Sequence, residues 1–204
     1  GLGDVYKRQD ISMRKDYVEL CGVSDRELHD TLDAELHEFA DVRGVTYDKL
    51  CAELKECYDG YHFTHNSIGM YNPFSLLNAF KYKEFGSYWF ETGTPTYLVE
   101  LLKKHHYNLE RMTHEETSAD VLNSIYGDEE PLPVIFQSGY LTIKGYNEEF
   151  DIYRLGFPNK EVESGFIKYL IPFYTPEEEK TGFFITNFIM DIRRGAPESF
   201  MQRM

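Results

Sequence analysis

The spacing of apolar residues predicts a series of amphipathic helices, beginning near Ser24. Ser24 and Glu27 have the spacing of a capping box, in which a hydroxyl and a carboxylate each accept a backbone amide at a helix start. The residues that follow share one helical face: Leu28, Leu32, Leu36 and Phe39. Gly44 ends this helix, because glycine readily adopts the left-handed conformation found there.

Three further helices follow from the same signals. Thr46 caps the second helix, and Asp59–Gly60 ends it. The apolar face of this helix carries Leu50, Leu54 and Tyr58, with Cys51 and Cys57 beside them. Asn72–Pro73 starts a third helix as cap and first helical residue, and we expect it to turn inward Phe74, Leu77 and Phe80. Thr94–Pro95 starts a fourth helix, which carries Leu98, Leu101 and Leu102.

The period of the pattern changes to two near residue 140, which favours β-structure. Residues 140–144 and 151–155 alternate and flank a turn, so they predict a β-hairpin. Short helices are predicted before it, at 119–125 and at 132–138, the second closed by Gly139. Helix, helix and hairpin in this order resemble a winged helix. The predicted fold is therefore mainly α: a helical bundle, a winged-helix-like unit with one β-hairpin, and further helices.

Two more helices are predicted after the hairpin. Asn159 caps the first, after Pro158, and its apolar side carries Val162, Phe166, Leu170 and Phe173. Thr175 and Glu178 form a second capping box, with Pro176 at the first helical position. The apolar stripe of this last helix, which Gly195 ends, is Phe184, Phe188 and Ile192.

The charge of the chain disfavours broad contact with nucleic acid. It has 21 Lys+Arg against 35 Asp+Glu, a net charge of −14, and a surface of that sign repels phosphate backbones. The basic clusters at 103–106 and 193–194 fall at the ends of predicted helices, where cations stabilise the helix dipole. The hairpin carries Lys144 and Arg154 against three carboxylates, so a structural or protein-contacting wing is favoured over a DNA-binding one.

The cysteines and the hydropathy pattern bear on location. Three cysteines, at 21, 51 and 57, form an odd set typical of reduced thiols in the cytoplasm. No run approaches the roughly 18 apolar residues typical of a membrane helix, so we expect no membrane association.

The opening residues 1–9 resemble translated sequencing adaptor, and we expect the chain to be an internal fragment of a longer protein.

A search for catalytic motifs gives no catalytic residue and no metal site. The chain contains no Gly-Lys dipeptide, so it lacks a phosphate-binding P-loop. Glu-x-Lys strings of the kind used by metal-dependent nucleases occur at 53–55 and 178–180, but both fall on predicted helices where surface charge is the simpler interpretation. A zinc site would combine Cys51, Cys57, His62 and His65, whose spacing lacks a paired Cys-x-x-Cys.

Seven sequence blocks together resemble one protein family. In chain order they are 10–13, 21–24, 58–63 (Tyr-Asp-Gly-Tyr-His-Phe), 71–77 (Tyr-Asn-Pro-Phe-Ser-Leu-Leu), 88–95 (Tyr-Trp-Phe-Glu-Thr-Gly-Thr-Pro), 136–143 and 155–162. This set resembles the AAA-ATPase-like proteins that carry a C-terminal PD-(D/E)XK nuclease-like domain. The resemblance covers residues 10 to about 174.

The resemblance implies a division of labour in a longer parent protein. Residues 10–110 would be the helical lid of the ATPase-like domain, 111–157 a winged-helix-like connector, and 158–204 the start of the nuclease-like region. The P-loop core that binds ATP and Mg would lie upstream, so the fragment itself would hold no cofactor and no catalytic residue is carried over. The partners implied are the parent's own ATPase core and nuclease-like domain.

The motif residues also have a structural interpretation, as caps, turns and packing anchors. They are Tyr58, Asp59, Gly60, Tyr61, Asn72, Pro73, Trp89, Pro95, Pro158, Asn159 and Glu161. The segment Glu91, Thr92, Gly93 and Thr94 is either a turn that launches a helix or a nucleotide-facing loop, since helix amino ends favour anions. The functional hypothesis is a lid and connector that is not catalytic alone; the alternatives are a winged-helix nucleic-acid-binding module and a protein-interaction scaffold.

Overall fold

A computed structural model of the chain describes residues 21–91, 96–107, 115–124 and 131–174. Within these ranges the fold is mainly α-helical with two small antiparallel sheets, which confirms the predicted fold class. The predictions for residues 1–20, for 92–95 and for the helix beginning at Thr175 lie outside the described residues. The Glu-x-Lys string at 178–180 lies outside them as well.

The first part of the chain forms three helices and a two-stranded sheet. In chain order the elements are β1 (Val23–Ser24), α1 (Asp25–Arg43), α2 (Tyr47–Tyr58), β2 (Met70–Tyr71) and α3 (Pro73–Tyr82). The predicted capping box is confirmed, because the Ser24 hydroxyl accepts from the Glu27 amide and the Glu27 carboxylate accepts from the Ser24 amide. Gly44 ends α1 in the left-handed conformation, with φ 66°.

These helices enclose a first hydrophobic core, in which α1, α2 and α3 each contribute leucines and aromatic rings. The Tyr58 hydroxyl lies in this core and bonds both the amide and the carbonyl of Gly86, so its buried oxygen is satisfied. The residues of the first core are Leu28, Leu36, Phe39, Ala40, Leu50, Leu54, Tyr58, Tyr71, Leu76, Ala79 and Phe80.

The second part of the described chain combines short helices with a three-stranded sheet. Its elements are α4 (Tyr88–Glu91), α5 (Thr96–Lys104), β3 (Glu116–Ser118), α6 (Ala119–Leu122), α7 (Pro131–Gln137), β4 (Thr142–Asn147), β5 (Ile152–Gly156) and α8 (Lys160–Tyr174). The strand order is β3–β5–β4 and all pairs are antiparallel. The predicted hairpin is therefore present, and β3 adds an edge strand that the sequence did not predict.

The second hydrophobic core lies between this sheet and the helices around it. Its residues are Leu98, Val99, Leu102, Leu122, Leu132, Ile135, Leu141, Ile143, Tyr153, Leu155 and Phe166. Helices α5 and α8 thus both pack into the core of the sheet. The division of the chain at residues 110 and 157 stays a prediction.

The hairpin differs from its prediction in where the turn falls. Residues 145–147 were expected in the turn, but they belong to β4, which continues past a β-bulge at Lys144. The register steps from Ile143 opposite Leu155 to Gly145 opposite Arg154, so Lys144 is the extra residue. A bulge allows a strand to continue while it redirects one side chain.

The predicted inward face of α3 is wrong at two of its three positions. Phe80 is buried, but Phe74 and Leu77 are 46% and 57% exposed. The face that packs in the first core instead carries Ser75, Leu76, Ala79 and Phe80. The error arises because α3 has apolar residues on two sides, and helical spacing alone does not say which side meets the core.

Within the described residues, no helix combines the length and the apolar character that a membrane crossing requires.

Candidate functional site

Residues from five of the sequence blocks, together with Lys144, meet where the first core adjoins the second. We call this region the junction and define it by seven residues, which are Gly60, Ser75, Trp89, Thr142, Lys144, Pro158 and Glu161. Trp89, Gly60, Pro158 and Glu161 were predicted motif residues. The structure therefore brings together motifs that are about 100 residues apart along the chain.

Gly60 allows the closest backbone approach in the junction. It follows α2 with a φ of 105°, in the region that favours glycine, and a Cβ placed on it would lie 2.3 Å from the carbonyl oxygen of Pro158. No side chain fits at that distance. Gly60 is therefore required both by its own conformation and by the segment that leads into α8.

Lys144 donates a hydrogen bond to the same carbonyl. The bulge in β4 directs its side chain so that Nζ donates to the Pro158 carbonyl oxygen at 3.0 Å. Burial lowers the pKa of Lys144, and the nearby carboxylate of Asp59 opposes that shift. The ammonium therefore acts as a fixed donor between the sheet and the start of α8.

Glu161 is the central acceptor of the junction. Its carboxylate oxygen Oε1 accepts from the Ser75 hydroxyl on α3 and from the Trp89 amide in α4, both at 2.9 Å. Glu161 is 5% exposed and Ser75 is fully buried. Hydrogen bonds from two elements satisfy Oε1 of a carboxylate that would be costly to bury without partners.

The position of Glu161 follows from the local sequence. Pro158 and Asn159 precede α8, and the Asn159 side-chain oxygen accepts from the Val162 amide, which confirms the predicted cap. Glu161 then falls in the first helical turn, where a negative charge stabilises the helix dipole. The cap therefore sets the direction in which the carboxylate points toward α3 and α4.

A second polar link joins the segment after α2 to the sheet. The Thr142 hydroxyl accepts from the His62 amide at 2.7 Å and donates to the His62 carbonyl at 3.0 Å. These two bonds fix the backbone at residue 62 against the first residue of β4. Thr142 is 3% exposed, so water does not compete strongly for the bonds.

Aromatic packing covers the polar bonds. The Trp89 ring meets Tyr140 edge to face, with ring centroids 5.0 Å apart, and Tyr140 meets Phe166 in the same way at 5.2 Å. Tyr61 and Trp89 both border Gly139, which has a φ of 80° after α7. Trp89 is thus a packing anchor, as predicted, and it contacts the side of the second core.

The other predicted motif residues lie beside the junction. Asn72 caps α3 by accepting from the amides of Phe74 and Ser75, and Pro73 is the first residue of that helix. Asp59 is 8% exposed, and burial raises its pKa, although the Gly60 amide and Lys55 oppose the shift. Glu91 ends α4, whereas Thr92, Gly93, Thr94 and Pro95 lie outside the described residues.

Three junction residues were missed by the sequence analysis. Ser75 lies in the block 71–77 but outside the helical face predicted to turn inward, so its burial beside Leu76, Ala79 and Phe80 was missed. Thr142 lies in the block 136–143 and Lys144 on the predicted hairpin, but neither position carried a signal of burial or of a partner. Their roles depend on contacts with residues 60–62 and 158, which no local pattern predicts.

The candidate catalytic and metal-binding groups are not assembled in the described part of the chain. No group of three His, Cys, Asp or Glu side chains there could hold a metal ion. Two residues of the hypothetical zinc site have other partners in the structure. His62 Nδ1 lies 2.9 Å from the Ser67 carbonyl oxygen, and the His65 ring stacks on Tyr146. Burial raises the pKa of Cys57 to about 11.

The Glu-x-Lys string at 53–55 lies on α2, as its helical interpretation predicted. The Glu53 carboxylate accepts from Arg43 at 3.2 Å, and Lys55 Nζ lies 3.5 Å from the Asp25 carboxylate. Both charges are therefore paired on the surface of a helix. Nuclease chemistry at this string would instead require a strand and a free metal-binding carboxylate.

Comparison with known proteins gives one informative match. An uncharacterised protein encoded in the vnfD 5′ region of Azotobacter chroococcum mcd 1 is 36% identical to the chain over 173 residues. The match covers 82% of this chain but 31% of that protein, so the chain spans less than a third of this relative. No protein-family model and no solved structure matches the chain.

Proposed function

We propose that this chain is the lid and connector of a longer AAA-ATPase-like protein. In that protein it would couple an upstream P-loop core to a downstream PD-(D/E)XK nuclease-like domain, in the cytoplasm. The observation that carries the proposal is the junction, where one carboxylate on α8 bonds both α3 and α4. The motifs that resemble this family supply most of the junction residues.

The junction suits a coupling role because it links elements that lead in different directions along the chain. Helix α4 leads into the segment 91–94, a candidate to face nucleotide because helix amino ends favour anions. Helix α8 leads toward the nuclease-like region. Glu161 holds the amino end of α8 to the amide of Trp89. A displacement of α4 would therefore move α8 as a rigid body, since a packed core passes on a shift more readily than it deforms.

ATP and Mg belong to the parent in this proposal and not to this chain. The sequence has no Gly-Lys dipeptide to receive phosphates. Within the described ranges no carboxylate cluster suits a metal ion. We therefore assign the P-loop that receives the phosphates, and with it ATP and Mg, to the upstream core.

The proposal is tested in the full-length protein with Glu161→Gln. The amide keeps the size of the side chain and its oxygen can still accept both bonds, but it removes the charge that strengthens them. We expect nucleotide binding to persist while the ATP-dependent change in protease sensitivity downstream of residue 174 falls at least several-fold. Glu35→Gln, at an exposed position on α1, is the matched control and should change neither.

Two results would contradict this proposal. One is a full-length gene that encodes no P-loop upstream of residue 10. The other is an unchanged ATP-dependent protease pattern in Glu161→Gln, since a coupling carboxylate cannot be dispensable for coupling.

A winged-helix module is the second candidate, and the sheet supports it. The element order α5, β3, α6, α7, β4, β5 with strand order β3–β5–β4 resembles that of a winged helix and supports this candidate. A DNA-reading version would use α7 and the hairpin. However, α7 carries no Lys or Arg, and the hairpin tip is acidic through Glu148, Glu149 and Asp151.

The charges therefore favour a wing that contacts protein over one that contacts nucleic acid. Lys144 is already bonded to Pro158, and Arg154 lies opposite Glu116 in the sheet. Phe150, at the acidic tip, is 63% exposed, which suits a protein contact better than a phosphate backbone. A gel-shift titration at low salt should show no complex, and a shift at micromolar protein would favour nucleic-acid binding instead.

A further inference from the structure

The three-stranded sheet has an outer face that points away from the second core. Tyr153 and Leu155 of β5 lie in that core. Side chains alternate along a strand, so Ile152 and Arg154 lie on the opposite, outer face. Arg154 is exposed, and so is Glu116, which lies opposite it in β3. The outer face is therefore open to a partner.

This face and the turn of the hairpin together form a groove with a volume of about 620 Å³. We call it the wing groove and define it by Glu116, Glu148, Phe150, Ile152 and Arg154. Phe150 and Ile152 supply its apolar surface, and Phe150 is 63% exposed. An exposed aromatic ring beside a concave surface is typical of the anchor of a protein contact.

The turn that presents Phe150 is held by its own hydrogen bonds. The side-chain oxygen of Asn147 accepts from the amides of Glu149 and Phe150, at 3.0 and 3.3 Å. The Tyr146 hydroxyl donates to Asp151 Oδ1 at 2.7 Å. A turn fixed in this way reduces the conformational entropy lost when a partner binds.

The charge around the wing groove selects the chemistry of the partner. Four exposed carboxylates lie along it and on its turn: Glu116, Glu148, Glu149 and Asp151. Among the described residues, none of the four forms a salt bridge with a lysine or arginine. The net charge of the chain is −14, so a second copy or an acidic partner would be repelled, whereas a basic segment would be attracted.

Arg154 is compatible with a basic partner because it can bind the backbone of that partner. Its guanidinium lies over Gly145, where a Cβ would be 3.1 Å from Nη2. A guanidinium has five N–H donors, and the carbonyl oxygens of an extended peptide are suitable acceptors for them. The glycine therefore leaves room for a donor on the floor of the groove.

We propose that the wing groove binds an extended basic segment of a partner protein. A large apolar side chain of the segment packs on Phe150 and Ile152. Its flanking Lys or Arg side chains pair with Glu116 and Glu148. This inference rests on the protein-contacting wing proposed above, and it does not depend on coupling through Glu161.

The test is fluorescence anisotropy of the 204-residue chain with a labelled heptapeptide. The peptide has Leu at its centre and three Lys or Arg residues on each side. One control peptide has Ser in place of Leu, and another has Glu in place of every Lys and Arg. Salt at about 0.15 M screens attraction that is not specific to the groove.

We expect the Leu peptide to bind about five-fold more tightly than the Ser peptide, since only Leu gains apolar burial on Phe150. The Glu peptide should not bind. The absence of saturable binding by the Leu peptide, or equal affinities for the Leu and Ser peptides, would overturn the proposal.

Two pairs of protein variants locate the binding in the groove. Phe150→Ala should raise the Kd about ten-fold, whereas Val42→Ala, at a position 64% exposed on α1, should leave it unchanged. Glu116→Gln with Glu148→Gln should raise the Kd about five-fold. Asp30→Asn with Glu35→Gln removes the same charge from exposed positions on α1 and should change it less than two-fold.

Equal losses in the groove variants and their α1 controls, with unchanged circular dichroism, would show attraction to the whole surface and overturn the proposal. A dimer in sedimentation that Phe150→Ala abolishes would also overturn it, because a second copy would then occupy the groove. A gel shift that Arg154→Ala abolishes would assign the groove to nucleic acid instead. Glu161→Gln should bind the peptide like the wild type, so a failure of the coupling role would be recognised separately.

Discussion

The two hydrophobic cores are of similar size, but they are built in different ways. The first core joins helices that follow one another along the chain, and Ser24, Thr46 and Asn72 cap those helices through their side chains. The second core joins elements that are distant in sequence, since β3 pairs with β5 across α6, α7 and β4. Local sequence signals therefore specify the helices of the first core, whereas the second core depends on pairing between strands that are distant in sequence.

This difference explains why the junction matters. A core of short elements, such as α6 with four residues and β3 with three, gains little from helix or strand formation alone. Contacts from outside stabilise it, and the junction provides them through Thr142, Lys144 and Glu161. The predictions below separate the local signals of the first core from the long-range contacts of the second.

Gly60→Ala should have the largest effect. A Cβ at residue 60 would collide with the Pro158 carbonyl, and φ is unfavourable as well, so we expect a loss of about 3 kcal/mol or more in the free energy of unfolding. Gly44→Ala is the matched control: φ is 66° but no atom lies within 4 Å, so we expect a loss of about 1 kcal/mol. Urea unfolding measures both, and equal losses would show that the Pro158 contact is unimportant.

Glu161→Ala should cost about 2 to 3 kcal/mol, because it leaves the Ser75 hydroxyl and the Trp89 amide without their acceptor. Ser75→Ala should cost about 1 kcal/mol by itself. The double variant should lose less than the sum of the two single losses, since both substitutions break the same bond. Strict additivity in urea unfolding would mean that these side chains do not interact.

Ser24→Ala tests the local signals of the first core. The hydroxyl caps α1 and takes part in a confirmed capping box, so we expect a loss of about 1 kcal/mol. Ser118 precedes α6 in the equivalent position but makes no side-chain cap bond. Ser118→Ala should therefore change the unfolding midpoint very little, and a loss equal to that of Ser24→Ala would remove the contrast between the cores.

Asp59→Asn should have the smallest effect, with a sign that depends on pH. Burial raises the folded-state pKa of Asp59 above its ordinary value of 3.8, so the folded protein binds a proton more tightly than the unfolded chain does. The wild type should therefore gain stability relative to Asp59→Asn as the pH falls toward 4. Urea unfolding at pH 7 and pH 4 measures this difference in the free energy of unfolding. A wild type that loses stability relative to Asp59→Asn on acidification would show that Lys55 lowers the pKa of Asp59 more than burial raises it.

The first core could be predicted from sequence in most of its detail. The caps, the stripe of α2 and the stop at Gly44 were correct because each depends on residues within one or two helical turns. Leu32 of the predicted α1 stripe lies at a kink in the helix and is only partly buried. The inward face of α3 was wrong at Phe74 and Leu77, since a helix with two apolar sides requires knowledge of its neighbours. The hairpin was predicted, but its turn was misplaced because the bulge at Lys144 extends β4.

The junction could be predicted only in part. Gly60, Trp89, Pro158 and Glu161 were identified as motif residues, and their local roles as turn, anchor and helix start are correct. Their meeting was not predicted, because Ser75 and Glu161 are 86 residues apart and no periodic pattern links them. Strand β3 was missed for a similar reason, since three residues paired with a distant strand leave almost no local signal.

Native-state hydrogen exchange tests the central claim most directly, which is that the junction joins the two cores into one cooperative unit. In the wild type, amides of the first core such as Leu54 and of the second such as Leu155 should exchange through openings whose free energies agree within about 0.5 kcal/mol. In Glu161→Ala the amides of the second core should open at a free energy at least about 1 kcal/mol lower than those of the first. Two different opening free energies in the wild type, or two equal ones in Glu161→Ala, would contradict the account.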